Sequence, residues 1–173
     1  HNTMLLRVAR QSCKTKKLHD EVTKLGRLTR NPECPSNIVK VLGILYGCAH
    51  RDGPEGFMMA TEYCAFSLLE VILPEGTLAQ YYSADLVLQQ AQGIAWGLSY
   101  CHARGVLHLD LKLEHIRLTK VGGTHEEPVF TAKIDGWINS ANFDSSGAPT
   151  HDYARDASDA VFGATDVLQL GTM

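Results

Sequence analysis

No run in the chain of 173 residues approaches the roughly 20 apolar residues that span a bilayer, and no signal-peptide pattern opens it. No membrane segment is expected within the chain; because residue 1 is His, upstream targeting or membrane segments are beyond its reach. Basic residues are also sparse. The longest basic cluster is Lys14-Thr-Lys16-Lys17 and the net charge is −3, which removes the electrostatic footprint that nucleic-acid binding requires. The five cysteines, Cys13, Cys34, Cys48, Cys64 and Cys101, include no Cys-x-x-Cys pair. An odd, scattered set excludes a disulfide framework and suits reduced, buried thiols in an intracellular, cytoplasmic protein. What is present is a globular composition, 45% apolar and 20% charged, enough for one domain or a piece of one.

Apolar periodicity divides the chain. Thr3 to Ala9 is a short apolar run that reads as a buried strand or as the opening of a helix. Leu18, Val22, Leu25 and Leu28 recur at helical spacing, which predicts a helix over Lys16 to Arg30 with Asp20 and Glu21 near its start. Ile38 to Tyr46 and Phe57 to Cys64 read as strands joined by the Gly/Pro-bearing turn Arg51 to Gly56, a hairpin. Ser67-Leu-Leu-Glu70 has capping-box spacing. Ser83 to Ala103 is the clearest helix: Val87, Ala91, Ile94, Leu98 and Cys101 form a stripe that Leu86, Leu88, Ala95 and Trp96 widen, so most of it is expected to be buried. Ile116 to Val121 and Val129 to Ile134 are further strand candidates, Asn139 to Asp159 reads as a polar loop, and Gly163 to Gly171 as the opening of a helix.

Between the clearest helix and the later strands lies Gly105-Val-Leu-His108-Leu-Asp110-Leu-Lys112-Leu-Glu-His115-Ile-Arg117-Leu118. This stretch resembles the catalytic loop of a protein kinase, which the family writes His-Arg-Asp-Leu-Lys-Pro-Glu-Asn. His108, Asp110, Leu111, Lys112 and Glu114 agree with it, whereas Leu109, Leu113 and His115 do not. The preceding Leu98-Ser-Tyr-Cys-His102 is similar to the segment that leads into that loop. The similarity extends in order from Met4-Leu-Leu-Arg7, now read as a strand, to Asp166. It implies an α+β, partial protein kinase-like fold. Residues 1-64 would be a partial small lobe and hinge, and residues 65-173 a partial large lobe.

The resemblance carries roles with it. Asp110 would accept the substrate hydroxyl proton, and Lys112 would stand beside the transferred phosphate, a feature of the serine/threonine branch. Arg7, or Arg10, would replace the strand lysine that pairs with nucleotide phosphates, and Glu21 would be its partner. Thr61 would be the gatekeeper, the Glu62 carbonyl and the Cys64 backbone would face adenine, and Arg117 would lie under its ring. There a guanidinium would stack on the base or turn outward, or a register shift would make Ile116 or Leu118 the floor. His115 stands where the family has a magnesium-binding asparagine, and imidazole suits other metals better. For the Asp-Phe-Gly motif two readings compete at Lys133-Ile-Asp135-Gly136-Trp137-Ile138. Ungapped, the metal-binding aspartate is lost; with a one-residue deletion, Asp135 stays and the aromatic is lost or displaced to Trp137. His108 and Asp166 would be structural, Asp166 bonding the loop backbone.

Other parts of the pattern are missing. There is no Gly-x-Gly-x-x-Gly, Ala148-Pro149-Thr150 lacks the glutamate that closes an activation segment, and Leu109 replaces the arginine that clamps a phosphate on that segment. Activation would then be independent of phosphate on Ser145, Ser146, Thr150 or Tyr153. The expectation is a fragment of a serine/threonine kinase-like domain with exposed apolar surface. Its family uses ATP and Mg²⁺ on a protein substrate, while this chain is itself impaired. The alternative is a pseudokinase that binds or scaffolds a protein partner. A third reading, zinc held by Cys101, His108 and His115, lacks the usual close ligand spacing.

Overall fold

The computed structural model describes residues 4–8, 12–48, 56–72, 83–124, 128–142, 166 and 170. The first apolar run is strand β1 (Met4–Val8), antiparallel to β3 (Gly56–Glu62), whose other edge pairs antiparallel with β2 (Val41–Cys48). The hairpin read from its turn residues is therefore present, with residues 51–55 of the turn outside the described set. Between β1 and β2 runs helix α1 (Ser12–Thr29), which buries Leu18, Val22, Leu25 and Leu28 as the periodicity predicts. It begins earlier than predicted, because its first turn is polar and carries no apolar period. Asp20 and Glu21 are thus mid-helix, the first turn holds no acid, and Glu21 lies on the buried face at 1% exposure.

The strand expected from Ile38 starts only at Val41, since residues 37–39 serve another sheet. That sheet has the order β4-β6-β7, built from β4 (Phe66–Ser67), β6 (Ile116–Gly123) and β7 (Pro128–Ile134). One edge of β7 pairs with β6, and its other edge needs partners of its own. The Val39 N–H donates to the Ile134 carbonyl (3.0 Å), the Ile134 N–H to the Asn37 carbonyl (2.7 Å), and the Asn37 side chain to the Ala132 carbonyl (2.9 Å). The buried Gln90 completes the edge: its amide donates to the Phe130 carbonyl (2.9 Å) and accepts from the Ala132 N–H (2.5 Å).

Gln90 belongs to α3 (Ala84–His102), capped by the Ser83 hydroxyl, which accepts from the Leu86 N–H at 3.2 Å. The helix lies close on β7: a Cβ at Gly97 would stand 2.9 Å from the Ile134 side chain. Burial is confined to Gln90, Ile94, Gly97, Leu98 and Cys101, so the expectation of a mostly buried helix is too broad. Val87, Leu88 and Trp96 are 49%, 62% and 69% exposed, because they point away from the single face that β7 and β5 cover. Before α3, the short α2 (Leu68–Ile72) opens with the predicted capping box, in which Glu70 accepts from the Ser67 N–H (2.5 Å) and hydroxyl (2.8 Å). These bonds hold the Glu70 carboxyl below its ordinary pKa.

After α3, β5 (Val106–Leu107) pairs with β8 (Ala141–Asn142), so the segment read as a loop from Asn139 starts in ordered structure. Residues 143–159 lie outside the described set. The core joins α1, α3 and both larger sheets through Leu25, Ile38, Met59, Ile94, Ile116, Leu118 and Ile134. Burying each such side chain contributes roughly 1.5–3 kcal/mol. The architecture is the mixed α+β arrangement expected, with small antiparallel sheets and few helices. Among the described residues no helix is long and apolar enough to cross a membrane.

Candidate active site

The loop after β5 is fixed from behind by one carboxylate. Asp166, fully buried, accepts from the His108 N–H (2.8 Å) and the Leu109 N–H (2.7 Å), and its Oδ2 also meets His102 Nε2 at 2.8 Å. Burial pushes the Asp166 pKa up, but these hydrogen bonds outweigh it and hold the carboxyl below its ordinary value. Leu109 sits at φ 63°, a left-handed conformation that costs a branched side chain roughly 1–2 kcal/mol. The two bonds from Asp166 hold it there. The His108 ring is a neutral tautomer by its contacts: Nε2–H donates to the Asp135 carbonyl at 2.7 Å, while Nδ1 accepts from the Asp110 N–H at 3.3 Å. Burial lowers its pKa.

Forward of that anchor, Asp110 Oδ2 faces Lys112 Nζ at 3.4 Å, Asn139 Nδ2 at 3.1 Å and His115 Nδ1 at 3.6 Å. Asn139 is not foreseeable from the sequence, which places it in a loop. It reaches the site because a 3-10 turn (Trp137–Asn139) returns the chain to the loop. His115 Nδ1–H donates to the Asp110 carbonyl at 2.7 Å, and the Asp135 N–H donates to the His115 carbonyl at 2.8 Å. The Trp137 ring is fully buried and meets the His108 ring edge-on at 4.6 Å. Asp135 and Gly136 lead directly into the 3-10 turn, which Trp137 opens.

Arg117 of β6 and Lys133 of β7 are directly paired across the two strands. The Arg117 guanidinium donates to the Cys64 carbonyl at 3.1 Å. Ile116 and Leu118 on either side of Arg117 are fully buried in the core. The reason is alternation: in β6 these two neighbours face the core, so Arg117 faces the segment that follows β3. Thr119 donates its hydroxyl to Cys64 Sγ at 3.1 Å, and burial raises the Cys64 thiol pKa. Lys133, whose side chain is 6% exposed, pairs with Glu62 Oε1 at 3.0 Å, and the same oxygen accepts from the Lys40 N–H at 2.8 Å. Thr61 beside it is fully buried.

The model of the family described as protein tyrosine and serine/threonine kinase matches residues 4–125 of this chain. The chain belongs to the protein kinase family. A search of curated proteins found no match.

Within this kinase chain the candidate residues fall into three groups. His108, Asp110, Lys112, His115, the Asp135 backbone and Asp166 come together around the loop. Thr61, Glu62, Cys64 and Arg117 gather around the end of β3, joined by Lys133, which sequence reasoning misses because a single lysine in a strand carries no pattern. Glu21 is buried in α1, and the Arg7 backbone pairs with Met59, while the Arg7 side chain and all of Arg10 lie outside the described residues. Ser145, Ser146, Ala148-Pro149-Thr150 and Tyr153 lie outside them too. The zinc reading is not met: among the described residues no group of three or more His, Cys, Asp or Glu is placed to hold a metal ion. Burial raises the Cys101 thiol pKa strongly, and the His108 ring nitrogens have the partners given above.

Proposed function

We propose that this chain is a kinase-family domain that does not transfer phosphate and works as a binding module for a protein partner in an intracellular setting. Residues 1-64 would form a partial small lobe and hinge, and residues 65-173 a partial large lobe. The observation that carries this reading is the Arg117–Cys64 bond, which sets a cation on the backbone edge where the family resemblance expects adenine. Lys133, paired with Arg117 across the strands, forms an ion pair with Glu62 beside it. The metal side fits no better. His115 offers imidazole where magnesium calls for oxygen, and one of its nitrogens is already committed to the Asp110 carbonyl. Magnesium–ATP therefore does not fit the residues present, and no step is assigned through it. Asp110 and Lys112, the pair that resembles the serine/threonine branch, hold the loop together: Asp110 Oδ2 lies 3.4 Å from Lys112 Nζ and 3.1 Å from Asn139 Nδ2.

Calorimetric titration with ATP, with and without Mg²⁺ or Mn²⁺, tests this in the wild-type chain and in Arg117→Leu. The wild type is expected to show no saturable binding at micromolar ATP, and the variant, with the Cys64 carbonyl released, to bind adenosine more tightly than the wild type. Micromolar, metal-dependent binding by the wild type would return Asp110 and Lys112 to catalysis.

A further inference from the structure

Where the C-terminal half of α1 meets the turn between α3 and β5 lies a recess of about 450 Å³. Lys24 and Arg27, three residues apart and hence on one side of α1, line it together with Arg104, and Leu28 and Val106 add apolar surface. Its cations are held in place. The Tyr100 hydroxyl donates to the Leu28 carbonyl at 2.9 Å and ties α3 to α1, and the Arg104 guanidinium stacks 3.7 Å over the Tyr100 ring. Arg104 also pairs with Glu33 at 2.9 Å, a carboxylate that is 78% exposed.

Lys24 is half-buried, and its hydrogen bonds go to the carbonyl and hydroxyl oxygens of Ser140, which are neutral. Burial lowers its pKa, against the opposing attraction of Asp20 and Glu21 acting through space. Three cations and no carboxylate line the recess, and a phosphate monoester, at about −1.5 to −2, is the complementary charge. The recess falls in the range of small-ligand sites, roughly 300–1,000 Å³, and is larger than a bare phosphate needs. Its apolar lining suits the carbon that carries the phosphate.

We propose that this recess binds a phosphorylated side chain, with Lys24, Arg27 and Arg104 taking the phosphate and Leu28 and Val106 its carrier. An extended polyanion is not the ligand, because the chain as a whole is acidic. The recess shares no lining residue with the Arg117–Cys64 and Lys133–Glu62 contacts, so its test and the ATP titration fail independently. The probes are O-phospho-L-serine, inorganic phosphate and L-serine, titrated calorimetrically into the full chain. Phosphoserine is expected to bind saturably at one site and more tightly than inorganic phosphate, and serine not at all. Arg27→Gln, at an exposed position, should weaken phosphoserine about tenfold with its unfolding midpoint unchanged, the loss of one charge-assisted contact. Lys16→Gln, which removes the same charge from another exposed position of α1, should leave the affinity as it was. Absence of saturable binding, or equal weakening by Lys16→Gln, would overturn the site. Inorganic phosphate binding as tightly as phosphoserine would overturn the assignment to a phosphorylated side chain.

Discussion

Replacing Asp166 by Ala should be among the most damaging single changes available to this chain. The carboxylate is fully buried and serves three donors, the His108 N–H, the Leu109 N–H and His102 Nε2, at 2.7–2.8 Å. Hydrogen bonds to a charged group contribute roughly 1.5–3 kcal/mol each, and a buried donor left without a partner costs about 1–3 kcal/mol. The three share one acceptor and do not add, so the expected loss is about 3–5 kcal/mol, against a total stability of roughly 5–15 kcal/mol for a domain. Part of it will be recovered as Leu109 leaves its left-handed conformation and relaxes to negative φ. Asp166→Asn, which keeps one carbonyl acceptor but turns an NH₂ toward the other donors, should fall between wild type and Ala. Urea unfolding gives the free energies, and amide exchange at residues 108 and 109 reports the loop itself. A loss below about 1 kcal/mol, with exchange at those two amides unchanged, would refute the claim that this carboxylate holds the loop.

Two further outcomes follow from the same structure. Gly26 lies within α1, and a methyl group on its Cα would meet no heavy atom within 4 Å, so Gly26→Ala should stabilise by about 1 kcal/mol in urea unfolding; no gain would mean that the helix is not formed there. The His108 pKa is lowered by burial, whereas in the unfolded chain it returns to about 6.5. Between those values the unfolded chain binds the extra proton, so this histidine's contribution is complete above about pH 6.5 and is lost as pH falls through the folded value. His108→Gln should flatten the decline in unfolding midpoint between pH 7.5 and 5.5, and an unaltered slope would count against the neutral buried ring.

Periodic features are legible in the sequence and lone polar residues are not. The stripe Leu18, Val22, Leu25, Leu28 and the Ser67–Glu70 capping box each repeat a local pattern, and the structure carries both. The polar opening of α1 has no such period, which is why periodicity starts the helix too late and puts Asp20 and Glu21 near its start. In α3 the apolar residues are located correctly but not their cover, because periodicity reports which face is apolar and not how wide a partner lies against it. Gln90, Lys133 and Asn139 act on backbone or side-chain groups 40, 71 and 29 residues away in sequence. Contacts at that distance are set by topology, and one polar residue in a strand or helix gives no sign of them.

The Asp135-Gly136-Trp137 order has a physical account in His115. Gly136 is left-handed at φ 76°, and a Cβ there would stand 2.4–2.6 Å from atoms of the His115 ring. An imidazole at position 115 thus leaves no room for any side chain at position 136, least of all an aromatic one. The core nevertheless needs a large ring beside His108, and Trp137 supplies it one residue later, fully buried, with its Nε1–H donated to the Ile134 carbonyl at 3.2 Å. The 3-10 turn that seats Trp137 also delivers Asn139 to Asp110. His115, Gly136, Trp137 and Asn139 are therefore one packing solution, in which the imidazole, the glycine, the buried indole and the donor to Asp110 are set together. Exchanging His115 alone would leave the other three in place, so the residues around this loop are coupled through contact.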